Sequence, residues 1–296
     1  MANLARRLVT IPGYALAWAL VVASAPLWIP AAALVDLLRK SGGVALRSGC
    51  FVAFYLSCEL AGLLLSAALR LARPFARWDT ERWRELHYRL QDGWGTALFR
   101  GAVRCFDLRL ECEGDARLGE GPYLLLLRHA STGDTLLASA LVGRPHGMRL
   151  RYVLKRELLW DPCLHVVGNR LPHAFVDRFS EAKRTRVLER LTREGDAKQL
   201  DYARSLHCVL PPRSGGVLGL LEAAPAADVV LCAHTGFEGS ATLGQIWQGG
   251  LLHATVRVRF QRIPRSEMPT SREARSSWLR ERWQEIDAWV TSHRVG

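Results

Sequence analysis

The stretch Tyr123-Leu124-Leu125-Leu126-Leu127-Arg128-His129-Ala130-Ser131-Thr132-Gly133-Asp134 decides how this chain is read. The turn Gly121-Pro122 precedes it, and the next five residues are all apolar. A short continuous apolar run between turn signals predicts a strand buried on both faces, as in a mainly parallel sheet. The strand hands over directly to His129, so a histidine stands at its carboxyl end, where α/β sheets bind ligands. Asp134 follows five positions on, near the start of a helix expected over Thr132–Val142. A turn there can bring the carboxylate to one imidazole nitrogen, which fixes the tautomer and stabilises the charged ring. The other nitrogen can then take a proton from a hydroxyl. On spacing alone the pattern is weak: with nine histidines in the chain, H-x-x-x-x-D arises by accident, and a histidine satisfied in a loop is the plainer reading.

Outward from this point the pattern is α/β from Gly93 onward. Asp107–Cys112 alternates as a half-buried strand does, Arg151–Leu154 and Ala174–Val176 read as strands, Val229–Cys232 as a buried one, and Thr255–Phe260 alternates again. Ser180–Leu191 reads as a helix capped by Ser180. Ser271–Val290 reads as an amphipathic helix with Trp278, Leu279, Trp283, Ile286 and Trp289 on its apolar face. The expected fold is therefore α/β, a mainly parallel sheet flanked by helices.

The first seventy residues differ. Between Ile11 and Leu38 the only charged residue is Asp36, and between Gly49 and Leu69 only Glu59. Each run matches the roughly 20 apolar residues that cross a bilayer core. A signal peptide has a shorter apolar stretch followed by a cleavage site; a second apolar run follows here, which predicts a retained helical hairpin preceding the α/β domain. A pair of buried helices in a soluble core is the alternative. Pro26 and Pro30 are expected to kink the first helix or break it in two. Basic residues lie before, between and after the runs (Arg6, Arg7; Arg39, Lys40, Arg47; Arg70, Arg73, Arg77), so the positive-inside rule selects no orientation. A hairpin entering and leaving by one leaflet puts all three groups on one side. Pro74–Trp78 reads as the break after it, and Thr80–Leu90 as an aromatic-spotted helix lying at the membrane interface. This divides the chain into an anchor, 1–75, and an α/β domain, 76–296.

With 49% hydrophobic residues a disordered chain is excluded. The net charge of +12 rests almost wholly on arginine, since Lys40, Lys155, Lys183 and Lys198 are the only lysines. Arginine favours bidentate contact with phosphate, and a basic balance suits an anionic partner. The absence of a P-loop, zinc-finger spacing or an aromatic-basic RNA motif argues against nucleic acid, and no G-x-S-x-G elbow marks a serine hydrolase. The seven cysteines are odd in number and form no C-x-x-C pair, which predicts reduced thiols and neither disulfides nor a metal site.

The motif has companions. H-x-x-x-x-D after an apolar strand, behind a two-helix hydrophobic segment, resembles the first motif of the glycerolipid (1-acylglycerol-3-phosphate type) acyltransferases. Tyr152-Val153-Leu154-Lys155-Arg156-Glu157-Leu158 with Pro162, and then Gly168 with Leu171-Pro172-His173-Ala174-Phe175-Val176-Asp177-Arg178, are similar to its Lys-bearing strand and its second motif. His207-Cys208-Val209-Leu210-Pro211-Pro212-Arg213-Ser214-Gly215-Gly216 is similar to a segment of one branch. The resemblance implies acyl transfer from acyl-CoA or acyl carrier protein to the hydroxyl of a lysophospholipid, with no cofactor and no metal. It implies His129 as general base, Asp134 as its orienter, and Lys155 and Arg178 as ligands of the acceptor phosphate, with Arg213 as a substitute cation. It also implies a membrane location, expected to be a bacterial inner membrane with the site facing the cytoplasm. Arg128 stands where Asn is common.

The family's third motif, Pro-Glu-Gly-Thr-Arg after a strand, does not occur. After Asp177-Arg178 the chain enters Phe179-Ser180-Glu181-Ala182-Lys183-Arg184, which is similar to what normally follows that motif. A helix, a strand and the motif are missing near Arg178, so the sheet is expected to close differently or to leave an edge exposed. Phe237-Glu238-Gly239-Ser240 resembles the motif superficially but comes too late and is read as a decoy. The loss makes a catalytically impaired, lipid-binding relative the rival expectation.

Overall fold

The computed structural model describes residues 2–114, 116–131, 133–176, 202, 205–212, 214–240 and 242–293. They fall into two compact units, Met1–Leu108 with Thr132–Arg178 and Thr242–His253, and Arg109–Ser131 with Phe179–Ala241 and Ala254–Gly296.

The first unit opens with helices α1 (Ala2–Ala23), α2 (Ala25–Arg39) and α3 (Val44–Ala76). The expected break near Pro26 falls at Ser24, whose Oγ donates to the Leu20 carbonyl at 2.6 Å, while Pro30 is carried inside α2. Proline is tolerated in a first helical turn because its missing N–H has no partner there. Asp36, the lone acid of the first run, closes the turn into α3. Its carboxylate accepts from Ser41 Oγ at 2.5 Å and from the backbone N–H groups of Ala45 and Leu46 at 2.8 and 2.9 Å. Two helices, Leu4–Ala23 and Val44–Ala76, are long and apolar enough to cross a membrane.

Apart from buried Val44 and Leu56, the burial of α3 is inverted relative to a soluble helix. Ser48, Glu59, Gly62 and Ser66 face inward, whereas Leu64 and Leu71 are each 71% exposed and Phe75 is 88% exposed. Glu59 is fully buried and accepts from Trp94 Nε1 at 3.0 Å and from the Cys163 N–H at 3.1 Å. Those donors lie on α4 (Thr80–Phe106) and α7 (Pro162–Gly168).

Two expectations are corrected here. The helix read as Thr80–Leu90 continues to Phe106, so the α/β pattern does not begin at Gly93. Its glycines are contact points: a Cβ on Gly95 would lie 2.8 Å from Ser139 Cβ, and Gly101 packs directly on the Phe54 ring. Nor does its aromatic face lie outward, because Trp83 and Tyr88 are buried. The helix expected over Thr132–Val142 begins at Thr135. It runs as α5 (Thr135–Leu137), a π-helical stretch (Ala138–Gly143) and α6 (Arg144–His146). The unit is completed by β3 (Val153–Lys155) paired in parallel with β4 (Ala174–Val176), and by a short α9 (Leu243–Trp247) that packs near the start of α3.

The second unit is built on a four-stranded sheet in the order β1-β6-β5-β2, with β1 (Arg109–Gly114), β2 (Tyr123–Leu127), β5 (Asp228–Thr235) and β6 (Thr255–Ile263). β1 runs parallel to β6 and β2 parallel to β5, while β5 and β6 are antiparallel. With the β3–β4 pair, three of the four strand pairings among the described residues are parallel. β5 is the centre of the core, with Val229, Val230, Leu231, Cys232 and Ala233 all buried. It packs against Leu218 and Leu221 of α8 (Ser214–Ala223) and Leu279, Ile286 and Val290 of α10 (Arg272–His293). Trp283 of α10 is only half-buried and donates to the Leu210 carbonyl at 2.9 Å. β1 is exposed throughout and not half-buried as its alternation suggested; charged side chains line it, as on protected edge strands. Glu111 accepts from Arg257 Nε at 2.7 Å and Glu113 from Trp289 Nε1 at 2.9 Å. Among the described residues β2 ends the sheet at the other edge, and its five residues are half-buried, not buried on both faces as the continuous apolar run predicted. The expected helix Ser180–Leu191 lies outside the described residues.

Candidate active site

In register, Leu127 at the end of β2 pairs with Cys232 of β5, and the Arg128 N–H extends the ladder to the Cys232 carbonyl at 3.0 Å. His129 is the next residue and is exposed. The sheet therefore presents the imidazole at the carboxyl ends of two parallel strands.

What fixes the backbone at that point is Arg128, whose guanidinium is buried at 7% side-chain exposure. Nη1 donates to the His234 carbonyl at 2.6 Å and to Glu238 Oε1 at 3.1 Å, and Nη2 donates to the Cys208 carbonyl at 3.2 Å. His234, fully buried at the end of β5, returns a bond: its Nε2–H donates to the Arg128 carbonyl at 2.6 Å. Strand end and strand end are bracketed from both sides, one residue before His129. A buried guanidinium needs both a counter-charge and filled donors, and Glu238 supplies the charge.

Glu238 reaches Arg128 because Gly236 turns the chain at φ +96°, a conformation a side chain would strain and for which the Thr255 carbonyl leaves no room. The Gly236 N–H then donates to Glu238 Oε2 at 2.6 Å. Burial raises the Glu238 pKa, but the backbone N–H groups of Glu238 and Gly236 together with Arg128 overcome it, and the net direction is down. The segment read as a decoy for the missing motif thus has a use of its own, as support for Arg128.

The third leg of the bracket is held from α10. Asp287 accepts from the backbone N–H groups of His207, Cys208 and Val209 at 2.9, 2.6 and 2.9 Å. Burial alone would raise its pKa; those three donors and the His207 ring hold it below the usual carboxylate range. Asp287 so fixes the Cys208 carbonyl that Arg128 uses.

In the first unit, Asp134 is completely buried immediately ahead of α5, and its carboxylate does not cap that helix. Ser131 is not at the cap position either, since α5 starts at Thr135. Lys155 is the last residue of β3 and is half-buried. His129 and Asp134 belong to different compact units. Arg178 and Arg213 lie outside the described residues. Among the described residues no cluster of three His, Cys, Asp or Glu is arranged to hold a metal ion, and all seven cysteines are free thiols.

Sequence reasoning missed Glu238, His234 and Asp287. A signal was present for the first two: His234 follows the apolar Val229–Ala233 run as His129 follows Tyr123–Leu127, and Arg128 beside a buried strand end demands an acid. Nothing in the sequence pointed from α10 to residue 208.

Residues 109–203, from β1 through both sequence motifs, match the family model described as Acyltransferase. Among solved structures, the crystal structure of the 1-acyl-sn-glycerophosphate (LPA) acyltransferase PlsC from Thermotoga maritima is similar at 15% identity and TM-score 0.48, covering 81% of this chain and 100% of that one. No curated protein matches.

Proposed function

We propose that the chain transfers a fatty acyl group from acyl-CoA or acyl carrier protein to the free hydroxyl of a lysophospholipid such as 1-acylglycerol-3-phosphate, at a membrane surface. The observation that carries this reading is the delivery of exposed His129 to the carboxyl ends of β2 and β5, inside the acyltransferase-family segment.

In the proposed reaction the His129 imidazole accepts the hydroxyl proton as the hydroxyl oxygen attacks the thioester carbonyl carbon. The tetrahedral intermediate collapses, the C–S bond breaks, and the imidazolium returns its proton to the thiolate that leaves. Asp134 orients the ring and balances its transient charge. Lys155, Arg178 and Arg213 are the candidate cations for the acceptor phosphate. Arg128, held by Glu238, His234 and Cys208, is a positioning residue that keeps His129 at the sheet end. Residues 1–75 anchor the chain and 76–296 carry the reaction; the inverted burial of α3 supports that division of labour.

The missing third motif favours a second reading, a relative impaired in turnover that still binds lipid. An assay with an acyl thioester and either lysophosphatidate or a neutral lysolipid separates the two, with His129→Ala as control. Turnover abolished in the variant supports the enzyme. Equal rates in both chains, or none in either, favour the lipid-binding relative.

A further inference from the structure

Helix α7 packs against α1, α3 and α4. At its centre His165 is fully buried, and neither ring nitrogen has a hydrogen-bond partner. A neutral imidazole carries one N–H donor and one acceptor, and leaving either unmade inside a protein is costly. The charges that bear on His165 come from Arg7 and Arg6 of α1. Arg7 itself has a buried Nε–H with no partner, and one turn further along α1 the hydroxyl of Thr10 is buried in the same condition. Three unused polar groups therefore occur on the facing elements α1 and α7.

The surroundings are positive. Arg170, two residues past α7, donates through Nη1 to the Ser66 carbonyl at 2.8 Å, to Ser66 Oγ and to His87 Nε2 at 2.9 Å, all neutral acceptors. Its guanidinium lies 5.4 Å from the Trp83 ring centre, and that of Arg73 lies 4.8 Å from it. Arg70 and Arg7 act on Arg170, and Arg170 and Arg73 on His87. Burial first, and then these like charges, push His165, His87 and Arg170 toward their neutral forms. Among the described residues no Asp or Glu forms an ion pair with Arg6, Arg7, Arg70, Arg73 or Arg170. Arg7 links the two halves of this group: it acts on Arg170 on one side and, with Arg6, on His165 on the other, where the partnerless buried nitrogens lie.

We infer that this cluster of α1, the end of α3 and α7 is a binding site for a phosphate group, with Arg6, Arg7 and Arg170 as its charge and the Arg7 Nε–H and a His165 ring N–H as its buried donors. Phosphate fits because it brings multiple negative charge and several acceptor oxygens, and because guanidinium meets it in bidentate geometry. Arg6 and Arg7 precede the apolar length of α1, and Arg70 and Arg73 follow that of α3. A phosphate there sits at one end of the apolar segments, where a phospholipid headgroup or a soluble phosphate ester can supply it. The inference uses only residues of the first unit and does not rest on the acyl-transfer reading.

The test uses the full chain in a phosphate-free detergent. Inorganic phosphate is compared with chloride at equal ionic strength by thermal unfolding, and vesicles of phosphatidylglycerol with vesicles of phosphatidylcholine by flotation. A ligand at a hundred times its Kd raises the melting temperature by about 5–10 °C in a chain this size; Arg7→Gln and His165→Asn are expected to lose most of that rise. The vesicle preference, expected to be about tenfold or more from several arginines near an anionic surface, shrinks in the same variants. A response to free phosphate identifies a soluble ester as occupant, and a response to anionic vesicles alone identifies a headgroup; both support the site. Where a variant fails to fold, the 15N resonances of the His165 ring in the native chain decide: they move on titration with phosphate and not with chloride. No phosphate-specific change in unfolding, flotation or the ring resonances overturns the inference, as does an unchanged response in variants that fold.

Discussion

α3 and β5 are both apolar in sequence and opposite in burial. β5 buries Val229, Val230 and Leu231, with α8 and α10 covering the face that carries Val229 and Leu231. α3 turns Ser48, Glu59 and Ser66 inward and leaves Leu64, Leu71 and Phe75 outside. Composition alone makes them alike; the position of the few polar residues makes them different. A helix whose polar groups need partners inside and whose leucines face out is matched to a lipid surroundings, where small and polar residues form the helix contacts. A strand with no polar side chain between Val229 and Ala233 is matched to a water-excluded core.

The largest expected effect is on the chemistry of the second unit. His129→Ala is expected to reduce acyl transfer by about 10²–10⁴-fold, the range a general base supplies, without altering membrane partition. A residual rate close to the native one would remove His129 from the mechanism and leave the second unit a scaffold.

Packing gives the next effect. Leu231→Ala should destabilise the second unit by about 2–5 kcal/mol, the usual cost of emptying a core leucine site. Leu64→Ala, at 71% exposure, should change stability by less than about 0.5 kcal/mol in detergent while weakening partition into vesicles. Chemical denaturation and flotation of the two variants measure the contrast directly; equal destabilisation by both would mean α3 is a core helix after all.

Glu238→Gln sharpens the role of the Arg128 bracket. The amide still accepts a hydrogen bond but no longer balances the guanidinium, and a loss of about 1–3 kcal/mol follows from weakening a charge-assisted bond. The expected signature is a fall in kcat at nearly constant KM, since the acceptor site is untouched. A change in KM alone would place Glu238 in substrate binding.

The smallest effect concerns pH. Asp92 of α4 is buried with Oδ1 unpartnered among the described residues, and burial pushes its pKa from 3.8 up to about 7, against the pull of Arg144. The folded chain thus keeps this proton to higher pH than the unfolded chain. Stability falls as pH rises from about 4 through about 7, and the penalty is complete above that window. Asp92→Asn should flatten this part of the profile, gaining at most a few kcal/mol at pH 8 and nothing at pH 4. Parallel profiles for the two chains would show that the carboxyl ionises freely.

The local pattern carried β2 and β4 to the residue and β5 and β6 to within a few positions, because each is an uninterrupted apolar or alternating run. The length of α4 was hidden because the α/β pattern reads from Gly93 onward, and the packing of Gly95 on Ser139 and of Gly101 on Phe54 that carries the helix further leaves no trace in local sequence. The split of the first apolar run was anticipated from Pro26, yet the residue that yields is Ser24. At the site, His129 was legible from its strand. The partners of Arg128 were not, since residues 80 to 110 positions away supply them and short-range spacing holds no trace of such contacts.

Glu59 has a consequence for how the chain is made. One of its two hydrogen-bond donors, the Cys163 N–H, lies 104 residues downstream. At typical ribosomal rates that segment takes roughly 5–20 s to emerge. Until then only Trp94, 35 residues downstream, can match the buried acid of α3, so the helix cannot complete its contacts at the moment it leaves the exit tunnel. Whatever first receives α1 to α3, bilayer or holding factor, must leave the Glu59 face of α3 open to Cys163, so α7 is among the later elements to dock on it.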